Sequence, residues 1–377
     1  MSGPDKVVIL EDTTLRDGEQ TPGVAFSVDD KIRVHDLLVE AGVRWIEAGI
    51  PAMGGEELRA LQKLMSVESP ATLVAWNRGV RADVEQSLDL GFQAIHIGLP
   101  ASDRLLRSSV GRDRAWLLEQ ARILIAVAKG KGAFVSISAE DVARTDLGFL
   151  EEYACVVSES GADRLRLSDT IGALGPEEYA RRVEAVTSVC SIAVQCHAHN
   201  DYGLALANTL AGVKAGARWF HVTVNGIGER AGMPDLAQVV MALQRLYGID
   251  LGVDPTYLRP LSNLVSELTD VTPVPWQPIV GENVFAHESG IHVNAMLRDS
   301  EAFEAFAPSD VGGTRRLVLG KHSGRALVRQ MLSEANIPAT EDEIAKCLEL
   351  SREWAVRSRK SVDATRLIEI LASVRSN

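Results

Sequence analysis

Three short polar clusters in this sequence carry residue types that can act together on a carbonyl group. The first is Glu11-Asp12-Thr13-Thr14-Leu15-Arg16-Asp17-Gly18-Glu19-Gln20, the second Gln195-Cys196-His197-Ala198-His199-Asn200-Asp201, and the third Asn225-Gly226-Ile227-Gly228-Glu229-Arg230-Ala231-Gly232. His197 and His199 are two residues apart, so on a strand both imidazoles point to the same side. Two imidazoles and a carboxylate such as Asp17, with positions left open, suit a catalytic divalent metal. An isolated His-x-His could equally be a hydrogen-bonded polar cap over a core, and the company of the two other clusters favours the metal. Arg16, beside Asp17, would by itself read as a surface arginine paired with an acid. Next to a metal it becomes a fixed positive charge for an oxyanion growing on a polarised carbonyl. The glycines of the third cluster allow close backbone approach to a ligand, or only a strand-to-helix turn.

Such groups need a rigid frame, and the alternation of the chain supplies one. Short apolar runs bounded by turn residues alternate with longer segments of helical apolar spacing, the pattern of consecutive βα units around a parallel sheet. The strand candidates are Val7–Leu10, Trp45–Ile50, Thr72–Ala75, Ala94–Gly98, Phe134–Ser138, Arg164–Leu167, Ala193–His197 and Phe220–Val224; the first helix is expected at Asp29–Glu40 and the last at Leu236–Leu246. Eight units predict an α/β fold, a (β/α)8 TIM barrel of the usual ~250 residues, in which reactive groups sit at the carboxyl ends of the strands. All three clusters fall there. The barrel is expected over residues 1–250. Beyond Gly248 prolines at 255, 260, 273, 275 and 278 interrupt the chain before further helix-like segments, which predicts an appended α-rich C-terminal region over 251–377.

Bulk properties narrow the function. A net charge of −12 and a pI near 5.2 argue against a nucleic-acid surface and against a polybasic membrane contact, so an anionic substrate needs local arginines or a metal. The opening MSGPDKVVILED lacks a signal-peptide pattern and no run of about 18 apolar residues occurs, so a cytoplasmic protein is expected. Cys155, Cys190, Cys196 and Cys347 form no CxxC pair and are too sparse for a disulfide framework, so reduced thiols are expected.

Taken together, Thr13–Gln20, His197–Asp201, Gly226–Arg230 and Phe285-Ala286-His287-Glu288-Ser289-Gly290-Ile291-His292 resemble the signature of the DRE-TIM metallolyases, and more narrowly the 2-isopropylmalate and homocitrate synthases. Ile46–Gly54 and Gly111-Arg112-Asp113-Arg114 are most similar to homocitrate synthases of the NifV type, which serve nitrogen fixation. The resemblance implies that Asp17, His197 and His199 are metal ligands (for Mg2+, Mn2+ or Zn2+), and that Arg16 faces the ketone oxygen of a 2-oxo acid. It implies that Glu140 helps to deprotonate acetyl-CoA, that Thr170 binds the substrate carboxylate with Gln20 and Arg144 nearby, and that His292 reaches the partner subunit's barrel in a homodimer. A solvated loop acid and a turn-capping threonine are the plainer roles for Glu140 and Thr170.

Two departures stand out. The family's Gly-Glu-Arg-x-Gly-Asn closes here on Met233, a soft and poor donor for a hard ion, so water or Asn225 is expected in its place; a usual tyrosine is replaced by Phe303. The chain stops where isopropylmalate synthases commonly continue into a leucine-sensing domain, so feedback of that kind is not expected. The implied activity is condensation of acetyl-CoA with 2-oxoglutarate to homocitrate, with 2-oxoisovalerate, pyruvate, oxaloacetate or a phosphonate analogue as alternative acceptors. Acceptor choice is expected to rest on residues such as Arg78, Ser136 and Arg144. An acyl-CoA lyase is a rival, although that group carries a cysteine in the loop after strand eight where this chain has Gly226–Arg230. A non-catalytic metal-stabilised scaffold would not need so many polar groups at strand ends.

Overall fold

Short strands rich in branched and aromatic residues can be buried on both faces when helices cover one face and a closed interior holds the other. The computed structural model, which describes residues 7–376, has that arrangement. Eight strands, β1 (Ile9–Asp12), β2 (Trp45–Gly49), β3 (Thr72–Arg78), β4 (Ala94–Gly98), β5 (Phe134–Glu140), β6 (Arg164–Asp169), β7 (Ala193–Ala198) and β8 (Trp219–Val222), follow one another around a closed parallel barrel. β1 closes the ring on β8, from Ile9 opposite Trp219 to Asp12 opposite Val222. All the expected strands are present. β8 ends at Val222 rather than Val224, because a tight turn at Val224–Gly226 puts Asn225 at φ +61°.

Helices enclose the barrel, and side-chain caps fix several of their starts. Ser27 and Asp30 form a capping box at Val28–Glu40, while Asp113, Asp146 and Asp235 cap the helices Arg114–Gly130, Leu147–Glu159 and Leu236–Tyr247. Residues 1–6, expected to carry no targeting segment, lie outside the described residues. Among those described, no helix is long and apolar enough to cross a membrane. All four cysteines are free, with Cys196 and Cys347 buried and Cys155 and Cys190 half-buried.

The barrel interior departs from the usual stack of branched apolar layers. Alternate residues of each strand face inward, and here they form three tiers. At the amino ends, Trp45, Phe134 and Trp219 make an aromatic plug with ring centroids 4.7 to 5.9 Å apart. Above it lies a buried layer of Glu11, Glu47, His96, Ser136, Arg164, Arg166, Gln195 and His221. The third tier, at the carboxyl ends, holds Trp76, Glu140, His197 and the β1 loop.

The first compact unit runs to Thr272 and the second from Pro273. The helix Leu258–Thr269, past the expected boundary at 250, is grouped with the barrel: its buried face is Leu258, Leu261, Ser262 and Val265, and its Ser262 and Ser266 accept from Asn225 of the β8 turn. The second unit is α-rich, with helices Gly290–Met296, Arg325–Glu334, Glu341–Ser358 and Ala364–Ser376, and adds a parallel pair of two-residue strands, Ala286–His287 and Arg316–Leu317. Leu327, Val328, Ile344, Cys347, Leu367 and Leu371 are central to its core.

Candidate active site

The site is built upward from the buried layer. Arg164 Nη1 donates to Glu11 Oε2 at 2.5 Å, and Arg166 Nη2 donates to Glu11 Oε1 at 3.4 Å and to Glu47 Oε1 at 2.7 Å. Glu47 Oε2 in turn accepts from Arg16 Nε at 2.5 Å and from the Thr13 hydroxyl at 2.8 Å. Desolvation by itself would raise the pKa of both glutamates. The guanidiniums overcome it: Arg164, with His221 and Arg166, holds Glu11 at about 2, and Arg16 with Arg166 holds Glu47 well below the carboxylate range. Arg16 also donates from Nη1 to Asp17 Oδ2 at 2.7 Å, so its guanidinium is fixed from two sides.

The loop carrying Arg16 and Asp17 is braced from outside the barrel by buried Lys31. Its Nζ donates to the carbonyls of Leu15 at 3.1 Å and Ala48 at 3.4 Å and pairs with Glu57 at 2.6 Å and Glu19 at 2.8 Å. Close approach of Glu57 requires Gly49, where an added Cβ would lie 2.0 Å from Glu57 Oε1, next to the register shift between β2 and β3.

Asp17, His197 and His199 meet at the barrel mouth. Each offers a donor atom, and the three atoms lie within 4.8 Å of one another. His197 Nε2 is 3.3 Å from His199 Nε2 and 3.7 Å from Asp17 Oδ2, a spacing open to donors that each stand about 2.0–2.2 Å from one ion. Burial, aided by the neighbouring positive groups, pushes His197 well below its ordinary pKa, and burial lowers His199 too, so both rings keep a lone pair at neutral pH. His199 Nδ1 is buried with no hydrogen-bond partner among the described residues, so none of them holds that ring from behind. This donor set fits a divalent metal. Glu11, Glu47 and His221 also converge within 4.8 Å, but their carboxylates are already occupied by Arg16, Arg164 and Arg166, which leaves no charge there for a cation to satisfy.

Glu140 ends β5, partly buried, with its pKa raised by desolvation against the opposing pull of Arg16 and Arg166. An added Cβ at Gly98 would lie 2.6 Å from the Trp76 ring and 2.9 Å from Glu140 Oε1, so the bare glycine makes room for both side chains. The Arg16 guanidinium is 5.8 Å from the centroid of the same indole. Exposed Gln20 accepts from Arg16 Nη1 at a long 3.4 Å. Arg144 grips Asp141 through Nε, at 2.7 and 3.0 Å to the two carboxylate oxygens. The Thr170 hydroxyl accepts from the Asp141 N–H at 2.8 Å, so it does shape the loop.

Several expected residues have other work. The Asn225 amide nitrogen donates to the Ser262 carbonyl and Ser266 hydroxyl at 3.0 and 3.1 Å, while its Oδ1 is buried without a hydrogen-bond partner among the described residues. Met233 is buried, and its Cγ and Asp17 Oδ1 would each lie 3.0 Å from a Cβ at Gly228, so a thioether adjoins the carboxylate across that glycine. Ser136 lies in the buried layer, bonded to His96 and Arg164, rather than in an acceptor pocket. Exposed Arg78 pairs with Asp83. In the second unit, His292 stacks on Phe303 with centroids 3.9 Å apart and an interplanar angle of 16°, so the residue standing for the family's tyrosine is a platform for that ring.

Sequence reasoning placed Glu11 in the first cluster without a role and missed Arg164, Arg166, His221 and Trp76 as parts of this site. One signal was present: charged residues spaced two apart inside apolar strands, as in Arg164-Leu165-Arg166, must face a barrel interior in opposite-sign pairs.

Fold and site define a class: a (β/α)8 barrel with a carboxylate–dihistidine cluster and a fixed arginine at the carboxyl ends of its strands. Residues 7–265 match the HMGL-like family and residues 279–359 match the homocitrate synthase post-HMGL domain-like family. The chain belongs to the 2-isopropylmalate/homocitrate synthase family of the DRE-TIM metallolyases, a divalent-metal-dependent group using acetyl-CoA. It is 61% identical to a 2-phosphonomethylmalate synthase of Streptomyces rubellomurinus over 96% of this chain and 97% of the relative. It is 43% identical to 2-isopropylmalate synthase 2 of Caldanaerobacter subterraneus, over 94% and 93%, and 40% identical to homocitrate synthase 1 of Nostoc sp., over 98% of each. Among solved structures, hydroxymethylglutaryl-CoA lyase from Pseudomonas aeruginosa matches in fold, with a TM-score of 0.64 at 24% identity over 71% of this chain and 95% of that one.

Asp12 yields a prediction about pH. Its buried carboxyl accepts from the Thr14 N–H and hydroxyl, and desolvation outweighs those bonds, raising its pKa from 3.8 to about 7. Between those values the folded state keeps a proton that the unfolded state has released, so this group's contribution is full below the lower value and is lost as pH rises through the upper one. Asp12→Asn is expected to gain stability over the wild type by about 1.4 kcal/mol per unit from pH 5 to 6, with the gain flattening as pH passes through 7. Urea unfolding at each pH checks it; a pH-independent difference would contradict it.

Proposed function

We propose that this protein condenses the acetyl group of acetyl-CoA with a 2-oxo acid, hydrolyses the thioester to release CoA, and takes phosphonopyruvate as its acceptor. What supports the reaction class is the meeting of Asp17, His197 and His199 beside a doubly held Arg16 at one barrel mouth. Asp17, His197 and His199 would hold the divalent ion, which when bound would supply Lewis-acid polarisation of the acceptor carbonyl. Arg16 meets the negative charge that grows on the ketone oxygen as the new carbon–carbon bond forms. Glu140, made more basic by burial, takes a methyl proton from acetyl-CoA, with His292 assisting, and the resulting enolate carbon attacks C2 of the acceptor. Gln20 and Thr170 are assigned to substrate binding, Thr170 at the acceptor's carboxylate. Thioester hydrolysis then makes the condensation effectively irreversible.

What supports this acceptor is the 61% identity, over nearly its whole length, to a 2-phosphonomethylmalate synthase. Cutting 2-phosphonomethylmalate at the bond such a condensation makes leaves an acetyl unit and phosphonopyruvate. Arg144, about a third exposed and engaged by Asp141, is the cation assigned to the phosphonate. The resemblance that implies 2-oxoglutarate lies in Ile46–Gly54 and Gly111–Arg114. In those segments Glu47 holds Arg16 and Arg166, Asp113 caps a helix and Arg114 pairs with Asp103, all framework roles that leave acceptor choice open. Homocitrate synthases at 40 to 44% identity keep 2-oxoglutarate as the second reading.

Thiol release measured across phosphonopyruvate, 2-oxoglutarate, 2-oxoisovalerate, pyruvate and oxaloacetate, with and without a chelator, decides this. The expected result is chelator-sensitive turnover with kcat/KM at least tenfold higher for phosphonopyruvate, about 1.4 kcal/mol of discrimination. A preference for 2-oxoglutarate would return the acceptor to homocitrate chemistry.

The site is further proposed to be shared across a homodimer, His292 of one chain serving the partner's barrel. Mixed dimers of inactive His292→Ala and inactive His197→Ala chains should regain about half the wild-type activity, one of two sites being intact. Mixed dimers as inactive as their parents would show that His292 acts in its own chain or not at all.

A further inference from the structure

Beneath the metal cluster a line of hydrogen bonds joins β1, β8 and β7. His221 Nε2 stands 2.9 Å from Glu11 Oε1, and His221 Nδ1 stands 2.8 Å from His197 Nδ1. All three side chains are buried, and neither glutamate oxygen faces water. Glu11 is flanked by Arg164 and Arg166, so it is a carboxylate and only accepts. The proton between Glu11 and His221 therefore sits on His221 Nε2. A neutral His221 then has a bare Nδ1, which accepts, so the proton in the second bond sits on His197 Nδ1. That leaves His197 Nε2 bare, and Nε2 is the atom that faces His199 Nε2 and Asp17. Each step follows from the donor and acceptor inventory of the groups once Glu11 is charged and His221 is neutral.

We propose that Glu11 and His221 are positioning residues whose hydrogen-bond relay locks His197 in its Nδ1–H tautomer and aims its Nε2 lone pair at the metal, so that they set metal affinity without touching substrate. The proposal rests on the reading of Asp17, His197 and His199 as metal ligands. His199 provides the contrast, since its Nδ1 has no partner and its orientation has no such support. Partners behind a metal-bound histidine commonly govern affinity by about 10–100-fold.

Two measurements test it. In the first, metal-free wild type, Asp17→Asn, His221→Phe and His221→Asn are titrated with Mn2+ against a competing chelator. The wild type should bind Mn2+ tightly and Asp17→Asn poorly. His221→Phe should bind about 10–100-fold more weakly than wild type, whereas His221→Asn, whose amide oxygen can accept from His197 Nδ1–H, should recover most of that loss. Wild-type affinity in His221→Phe overturns the relay while leaving the metal site standing. Wild-type binding no tighter than that of Asp17→Asn removes the metal reading and the relay with it. In the second, the imidazole 15N shifts of metal-free wild type should report His197 protonated at Nδ1 and His221 at Nε2. The opposite tautomer at His197 overturns the relay even if no His221 variant folds.

Discussion

Everything at the barrel mouth depends on the charge pairing of the layer beneath it. Three guanidiniums, Arg16, Arg164 and Arg166, and the carboxylates of Glu11, Glu47 and Asp17 are buried together, and each arginine touches at least one of the acids. Removing such groups from water costs several kcal/mol per ion unless partners and geometry restore it, and loss of one partner strands the other. A layer of leucines and valines would be the simpler way to fill a barrel. The charged layer instead has direction: it tolerates one strand register and one set of side-chain positions, because an ion pair displaced by a pleat is an unpaired ion.

That directionality reaches the mouth through two residues. Glu47 shares its carboxylate between Arg166 below and Arg16 above, and its Oε2 also accepts from the Thr13 hydroxyl, so the first turn of the β1 loop is tied to the layer. Glu11 does the same for β8 and β7 through His221. Lys31 braces the same loop from behind through the Leu15 and Ala48 carbonyls. Arg230, in the loop after β8, joins it to the loops after β6 and β7, donating to both oxygens of Asp201 and to the Thr170 carbonyl. The groups of the candidate site are thus held in large part by strand-borne side chains, the support that preorganised electrostatics requires.

Much of this was legible in the chain itself, for physical reasons. The βα alternation is a local signal, since each strand and helix carries its own periodicity, and His197 and His199 announce a shared face by their spacing. What stayed hidden was pairing across the barrel. Arg164 and Glu11 are far apart in sequence and meet because of closure, and nothing local distinguishes Ser136 in the buried layer from a serine lining a pocket. The direction of a turn was hidden too: Asn225 adopts φ +61° and carries its amide to the Leu258–Thr269 helix, which no spacing rule predicts. The appended region could be called α-rich from its prolines and periodicity, but the stacking of Phe303 on His292 depends on a loop with no periodic signal.

The central claim is that Glu47 makes Arg16 a reaction-ready charge. A double-mutant cycle on kcat/KM, using Glu47→Gln, Arg16→Gln and the double variant with metal content measured for each, tests it most directly. The account predicts that Glu47→Gln keeps its metal and its fold yet loses about 100-fold, the scale set by misplacing a catalytic group, and that the double variant is no worse than Arg16→Gln alone. Losses that multiply independently, or a Glu47→Gln enzyme with wild-type turnover, would contradict it.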